Sequence, residues 1–212
     1  MKVVVFGAAG AIGRAITAEL LARGYTVTAV TRTGGPVEGL VVQAVTGDAA
    51  DPASVAKHAA GADAVVSAVG PHRGAEDEEE SLVGAARGLT DGLRQAGVRR
   101  LVVVGGAGSL EAAPGTRLLD TPDFPPAWKP AALAHAAALD VYRGAEDLDW
   151  TCVSPAALIE PGERTGAFRI GGDQLLADEA GHSQISIPDF AIAVGDVLER
   201  GEAIRRRITV AY

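Results

Sequence analysis

The sequence predicts an α/β fold, a doubly wound parallel sheet with helices on both faces, and three observations predict it. Apolar runs of four to six residues, rich in valine and bounded by Gly or Asp, recur through the first two thirds of the chain. Stretches with helical spacing lie between most of them. The first run leads directly into three glycines, Gly7, Gly10 and Gly13. Strands that are apolar throughout are buried on both faces, and helices above and below a parallel sheet bury them so.

In chain order, the first strand is read at Lys2–Phe6, followed by a helix over Ala11–Arg23. That helix carries Ile12, Ile16, Leu20 and Leu21 on one face and Arg14, Glu19 and Arg23 elsewhere, and Gly24 ends it as a C-cap. Strands follow at Thr26–Val30 and Leu40–Val45. Asp51-Pro52 opens the next helix, with an N-cap and then proline in the first turn. The fourth strand is Ala64–Ala68. The acidic run Glu76–Glu80 reads as a solvated loop or a helix start. After the fifth strand, Leu101–Val104, the segment Glu111–Pro130 holds five prolines and is too long for an ordinary connection, which marks a functional or disordered loop. A helix is expected around Leu133–Leu139 and a strand at Trp150–Val153. Short Gly-punctuated pieces follow Pro161, then a helix Pro188–Arg200 and a last strand Arg207–Ala211. Without repeats or a composition break, residues 1–212 read as one domain.

The 212 residues carry 19 Lys+Arg against 27 Asp+Glu, a net charge of −8. Net acidity without a basic patch argues against nucleic acid as partner. No apolar run approaches the roughly 18 to 20 residues that span a bilayer, so no membrane partner is expected. Met1-Lys2 runs straight into a strand instead of a leader, which predicts a cytoplasmic protein. The single cysteine, Cys152, excludes an internal disulfide framework and a cysteine-built metal site. His58, His72 and His182 are scattered without ligand spacing, so no metal site is expected. Ser67 and Ser154 lack the Gly-x-Ser-x-Gly elbow of a hydrolase nucleophile.

The most specific signal is the turn Gly7-Ala8-Ala9-Gly10-Ala11-Ile12-Gly13. A buried strand passing into glycines and then a helix is the context of a Rossmann-like dinucleotide site, where a pyrophosphate rests on the helix N-terminus. Gly7 makes the turn, Gly10 admits the phosphate, and Gly13 lets helix and strand pack closely. Ala9, Ala11 and Ile12 belong to the same expected contact. The second strand ends Thr31-Arg32, with no acid to pair two ribose hydroxyls. Arginine there suits a 2′-phosphate, so NADP(H) is favoured over NAD(H). Asp48, beside Ala49, can accept from an adenine amino group, and Ala68, Val69 and Gly70 are small enough to lie against the adenosine ribose.

Several stretches resemble a known family. The glycine turn, Val103-Val104-Gly105-Gly106-Ala107-Gly108-Ser109-Leu110 and Leu148–Pro155 are similar to the atypical short-chain dehydrogenase/reductases. So are Asp120–Pro125, Pro161–Gly166 and Ile185–Ala191. Within that group the sequence resembles the NAD(P)H-flavin reductases, relatives of biliverdin-IXβ reductase and of the NmrA-like proteins. The resemblance implies one Rossmann domain, a nicotinamide over the carboxyl ends of the strands, and a substrate pocket built from 110–130 and 155–190. It also aligns Ser109 with a family serine that hydrogen-bonds nicotinamide or substrate, although a turn cap is an equal reading.

A tyrosine followed four residues later by lysine, the usual proton-donating pair, is missing. Ala29 and Glu146 stand four residues after Tyr25 and Tyr142, and the third tyrosine is Tyr212. His135 falls near the position of the missing tyrosine and is either a proton donor or an ordinary helix histidine. Flavin reduction needs no strong acid, because hydride passes to the flavin ring and the proton can come from water. The expected function is therefore hydride transfer from NADPH to FMN, FAD or another planar small molecule, with Trp128 and Lys129 available to contact the flavin. The alternative is an NmrA-like protein that senses nucleotide with little turnover. Trp150 and Cys152 read as core. Oligomeric state is not legible.

Overall fold

The computed structural model describes residues 1–71 and 77–212. Among the described residues the strands are β1 (Lys2–Phe6), β2 (Thr26–Thr31), β3 (Gln43–Thr46), β4 (Ala64–Ser67), β5 (Arg100–Val104), β6 (Glu111–Ala113), β7 (Thr116–Arg117), β8 (Asp149–Pro155), β9 (Leu158–Glu160), β10 (Arg169–Gly171), β11 (Gln184–Ser186) and β12 (Arg206–Ala211). Among the described residues the helices are α1 (Ala11–Ala22), α2 (Pro52–Ala59), α3 (Glu78–Ala96), α4 (Lys129–Arg143) and α5 (Ile187–Arg200).

Eight strands form one sheet in the order β10-β12-β8-β5-β4-β1-β2-β3. All neighbours are parallel except β10, which runs antiparallel to β12. The chain winds outward from β1 to β3, then returns to place β4 on the other side of β1. The order reverses there, so a crevice opens outside the carboxyl ends of β1 and β4.

Alternation along each strand divides the core. Val3 and Val5 of β1 face one cluster with Ile16 and Leu20 of α1 and Phe190 and Val194 of α5. Val4 and Phe6 face another with Val55 of α2, Leu89 and Leu93 of α3, and Leu139 of α4. Burial on both faces is why these strands read as unbroken apolar runs.

Several expectations change. The third strand begins at Gln43 instead of Leu40, because the turn Leu40 N–H to Val37 O, 3.1 Å, holds that segment out of the sheet. Glu19, off the apolar face of α1 as read, is nevertheless only 8% exposed, since Arg23 and Arg164 both donate to its carboxylate. The acidic run opens α3: Glu78, Glu79 and Glu80 form its first turn, where the helix dipole favours negative charge. Glu76 and His72 lie outside the described residues. The proline-rich segment is ordered, with the hairpin β6–β7 and short 3₁₀ turns at Leu118–Asp120 and Pro126–Trp128. Trp150 and Cys152 are core residues at 4% and 3% exposure. No helix among the described residues is long and apolar enough to cross a membrane.

Candidate nucleotide and acceptor site

The β1–α1 turn is built around its glycines. Gly7 has φ +76°, and a side chain there would come within 2.7 Å of the Ala68 carbonyl. At Gly13 a Cβ would stand 2.1 Å from the Gly7 oxygen, so helix and turn touch backbone to backbone. Gly10 differs: a Cβ would meet nothing nearer than 3.5 Å, and its φ of −71° suits any residue. The fold does not need glycine at position 10. What it leaves is open space over the α1 N-terminus, where no side chain caps the helix. Asp51 caps α2 and Ser186 caps α5, whereas α3 and α4, like α1, have no side-chain cap. Uncapped amides facing an open surface suit a bound anion.

On the β2–β3 side of this turn, Thr31 is buried and its hydroxyl has no hydrogen-bond partner. Arg32 follows at the strand end and is exposed. The Asp48 carboxylate accepts from the Ala50 N–H at 2.9 Å, while Ala49 packs into the core at 7% exposure.

On the other side, a cavity of about 440 Å³ lies at the carboxyl ends of β4, β5 and β8. Ile12 of α1 and Ala68, Val69 and Gly70 after β4 border it. Gly105, Gly106 and Gly108 line the β5 end, and bare backbone there lets α4 lie close: a Cβ on Gly106 would be 2.9 Å from the His135 ring, and one on Gly108 2.5 Å from Ala132. His135 reaches the cavity from α4, and Phe124 and Trp128 close it from the proline-rich segment. Pro155, Ala156 and Ile159 complete the wall beyond β8.

The structure thus gathers Ile12, Ala68, Val69, Gly70 and His135 on one cavity, adjoining the turn that holds Gly7, Ala9, Gly10, Ala11 and Gly13. Ser109 is not on that cavity's wall. Its hydroxyl accepts from Arg207 Nη1 at 2.8 Å, and the same guanidinium, with its side chain 5% exposed, pairs with Asp173. Lys129 is exposed and likewise off the wall. Tyr142, on the same helix as His135, is buried, and burial raises its phenol above the ordinary value. Burial also pushes the Cys152 thiol up to about 11, against the lesser pull of Arg207 and Ser154.

Sequence reading missed Glu78 and Asp123 as cavity residues. Glu78 looked like one acid in a solvated run, and only the position of α3 places it at 7% exposure on the wall. Among the described residues no group of His, Cys, Asp and Glu can hold a metal.

A glycine turn opening onto an uncapped helix N-terminus, set at the reversal point of a parallel sheet, is the architecture of a Rossmann nucleotide-binding protein. The chain belongs to the NAD(P)H-binding family, whose sequence profile matches residues 7–200. A structure of a putative exported protein from Burkholderia pseudomallei is 51% identical, with 100% of both chains covered and a TM-score of 0.91. A putative NADH-flavin reductase from Streptococcus pneumoniae is 38% identical over 100% of this chain and 99% of its own, with a TM-score of 0.88. A putative epimerase from Bacteroides thetaiotaomicron is 37% identical over 100% and 96%, with a TM-score of 0.90.

Proposed function

We propose that this protein is a reductase that uses NADPH to reduce a flavin or similar planar acceptor without a Tyr–Lys pair. The observation that carries the reading is the adjacency of two features: the turn left open at Gly10, and a largely apolar cavity that begins at Ile12 and Ala68. Such a layout gives a dinucleotide one half on each side of β1. The adenosine half belongs with Thr31, Arg32, Asp48 and Ala49, and the pyrophosphate with Gly7, Ala9, Gly10, Ala11 and Gly13. Arg32 then answers a 2′-phosphate, which favours NADP(H) over NAD(H). When bound, the nicotinamide supplies the hydride.

The chain's own residues shape the rest. Ile12, Val69 and the Gly105–Gly108 run line the cavity with apolar side chains and bare backbone for one ring, and Phe124 and Trp128 add aromatic wall for a second. His135 is our proton donor for acceptors that need one, and water serves for flavin. Ser109 acts through Arg207, steadying the start of the 110–130 segment. On this reading residues 1–212 work as one domain with the acceptor pocket built from 110–130 and 155–190. A cytoplasmic location goes with it, because reduced nicotinamide nucleotides are kept there.

The test is steady-state oxidation of NADPH by the purified protein with FMN, FAD, riboflavin and small quinones. Saturable, protein-dependent oxidation supports the reading. One observation favours a second reading, an NmrA-like nucleotide sensor: none of the three tyrosines is on the cavity wall. The sensor predicts tight NADPH binding with no turnover of any acceptor.

A further inference from the structure

The cavity wall has an uneven distribution of charge. Its sides are apolar, with Ile12, Val104, Leu118, Phe124, Trp128 and Ile159 among them. Its ionisable groups, among the described residues, are Glu78, Asp123 and His135, and neither lysine nor arginine contributes. Glu78 sits deep at the start of α3, whereas Asp123 is exposed at the mouth, between the 3₁₀ turns of the proline-rich segment. The nearest cations of that segment are directed elsewhere. Arg117 donates to Asp120 through Nε at 2.7 Å and Nη2 at 3.2 Å. Lys129 also acts on Asp120, helping to hold that carboxyl below its usual range after the larger effect of Arg117.

A ring system fills such a slot by apolar contact, and whatever it trails must pass the mouth. A phosphate monoester carries about −1.5 to −2 charges at neutral pH. At the mouth it would meet the Asp123 carboxylate, and among the described residues no arginine or lysine lines the wall to balance it. Like-charge contact discriminates between ligands that share the same ring.

We propose that the acceptor is an uncharged planar ring system without phosphate, of the riboflavin or simple quinone kind, and that Asp123 excludes phosphorylated flavins. The proposal names the acceptor class of the reductase reading and rests on it. The discrimination acts on binding, so it is expressed in KM and Kd and not in kcat.

The test compares riboflavin with FMN in two measurements on wild type, Asp123→Asn and Asp123→Lys. One is flavin fluorescence quenching with protein saturated by NADP⁺, which reads Kd without turnover. The other is steady-state NADPH oxidation. Wild type is expected to bind riboflavin about tenfold more tightly than FMN, a difference that one like-charge contact near a protein surface can supply. The preference is expected to shrink to about threefold or less in Asp123→Asn and to vanish or reverse in Asp123→Lys. It also weakens as salt is added, because the contact is exposed. Equal binding of FMN and riboflavin by wild type, a preference unchanged in Asp123→Lys, or binding of neither flavin overturns the proposal. Selective riboflavin binding with no oxidation of NADPH by any acceptor would instead overturn the reductase reading and leave the charge argument standing.

Discussion

Gly10 and Gly13 are three residues apart in one turn, yet replacing each by alanine should have opposite effects. At Gly13 the new Cβ would lie 2.1 Å from the Gly7 oxygen, so α1 must move off the turn. Overpacking of this kind costs about 3 kcal/mol, which lowers Tm by roughly 6–12 °C in a chain of this size. At Gly10 the nearest atom is 3.5 Å away and φ and ψ are −71° and 161°, so alanine is accommodated. A poorer N-cap and a stiffer unfolded chain roughly cancel there, at about 0.5–1 kcal/mol each. The methyl group instead occupies the approach to the α1 amides. Loss of one charge-assisted hydrogen bond to phosphate is worth about 1.5–3 kcal/mol, or roughly a 10- to 150-fold weaker Kd for NADPH. Thermal unfolding of the free proteins and calorimetric titration with NADPH read the two quantities separately. A Gly10→Ala protein that is folded and binds NADPH as wild type does would refute the assignment of the turn. A Gly13→Ala protein of unchanged Tm would refute the packing argument.

Other predictions address nucleotide choice, pH and reactivity. Arg32→Ala should raise KM for NADPH by about tenfold and leave NADH unchanged, since only the former has a 2′-phosphate for the guanidinium to meet. Unaltered selectivity would remove that argument. Asp189 is 0% exposed and accepts from Thr165 Oγ1 at 2.5 Å, Gly166 N–H at 2.8 Å and Tyr212 Oη–H at 2.8 Å. Burial pulls its carboxyl upward, but these three donors outweigh it and hold the group below the usual range. The folded-state value is the lower one, so the stabilisation is complete above about pH 4 and is lost as the pH falls through that value. Asp189→Ala should therefore cost about 2–4 kcal/mol at neutral pH and blunt the acid limb of the stability profile, as denaturant unfolding across pH would measure. With its thiol pushed up to about 11 and 3% exposed, Cys152 should resist a disulfide reagent at neutral pH until the protein unfolds.

Much of this architecture is legible in the sequence, because the signals are local. Val3 to Phe6 are apolar at every position, which only a strand covered on both faces requires, and the glycines that follow at positions 7, 10 and 13 mark the turn. Asp51-Pro52 and Gly24 announce helix ends through backbone chemistry that needs no partner. Features set by long-range packing are not legible. Arg207 is 98 residues from Ser109, and nothing in either neighbourhood announces that the guanidinium holds the hydroxyl. Glu19 sits at a polar helical position and is buried because Arg164, 145 residues away, reaches it. Glu78 belongs to an acidic run, and its place on the cavity wall depends on where α3 crosses the end of the sheet. The edge strand β10 has only three residues and is defined by antiparallel pairing with β12, not by its own pattern.

In the proposed function, the open glycine turn and the adjoining cavity together pass a hydride from NADPH to a planar acceptor. Rapid mixing of the NADPH-loaded protein, in excess over acceptor, with riboflavin tests it in a single turnover. The near-ultraviolet absorbance of reduced nicotinamide and the visible absorbance of oxidised flavin should fall together, one for one, at a rate the Gly10→Ala protein lacks at the same NADPH concentration. Full occupancy by both ligands with neither absorbance changing faster than in the protein-free mixture would contradict it.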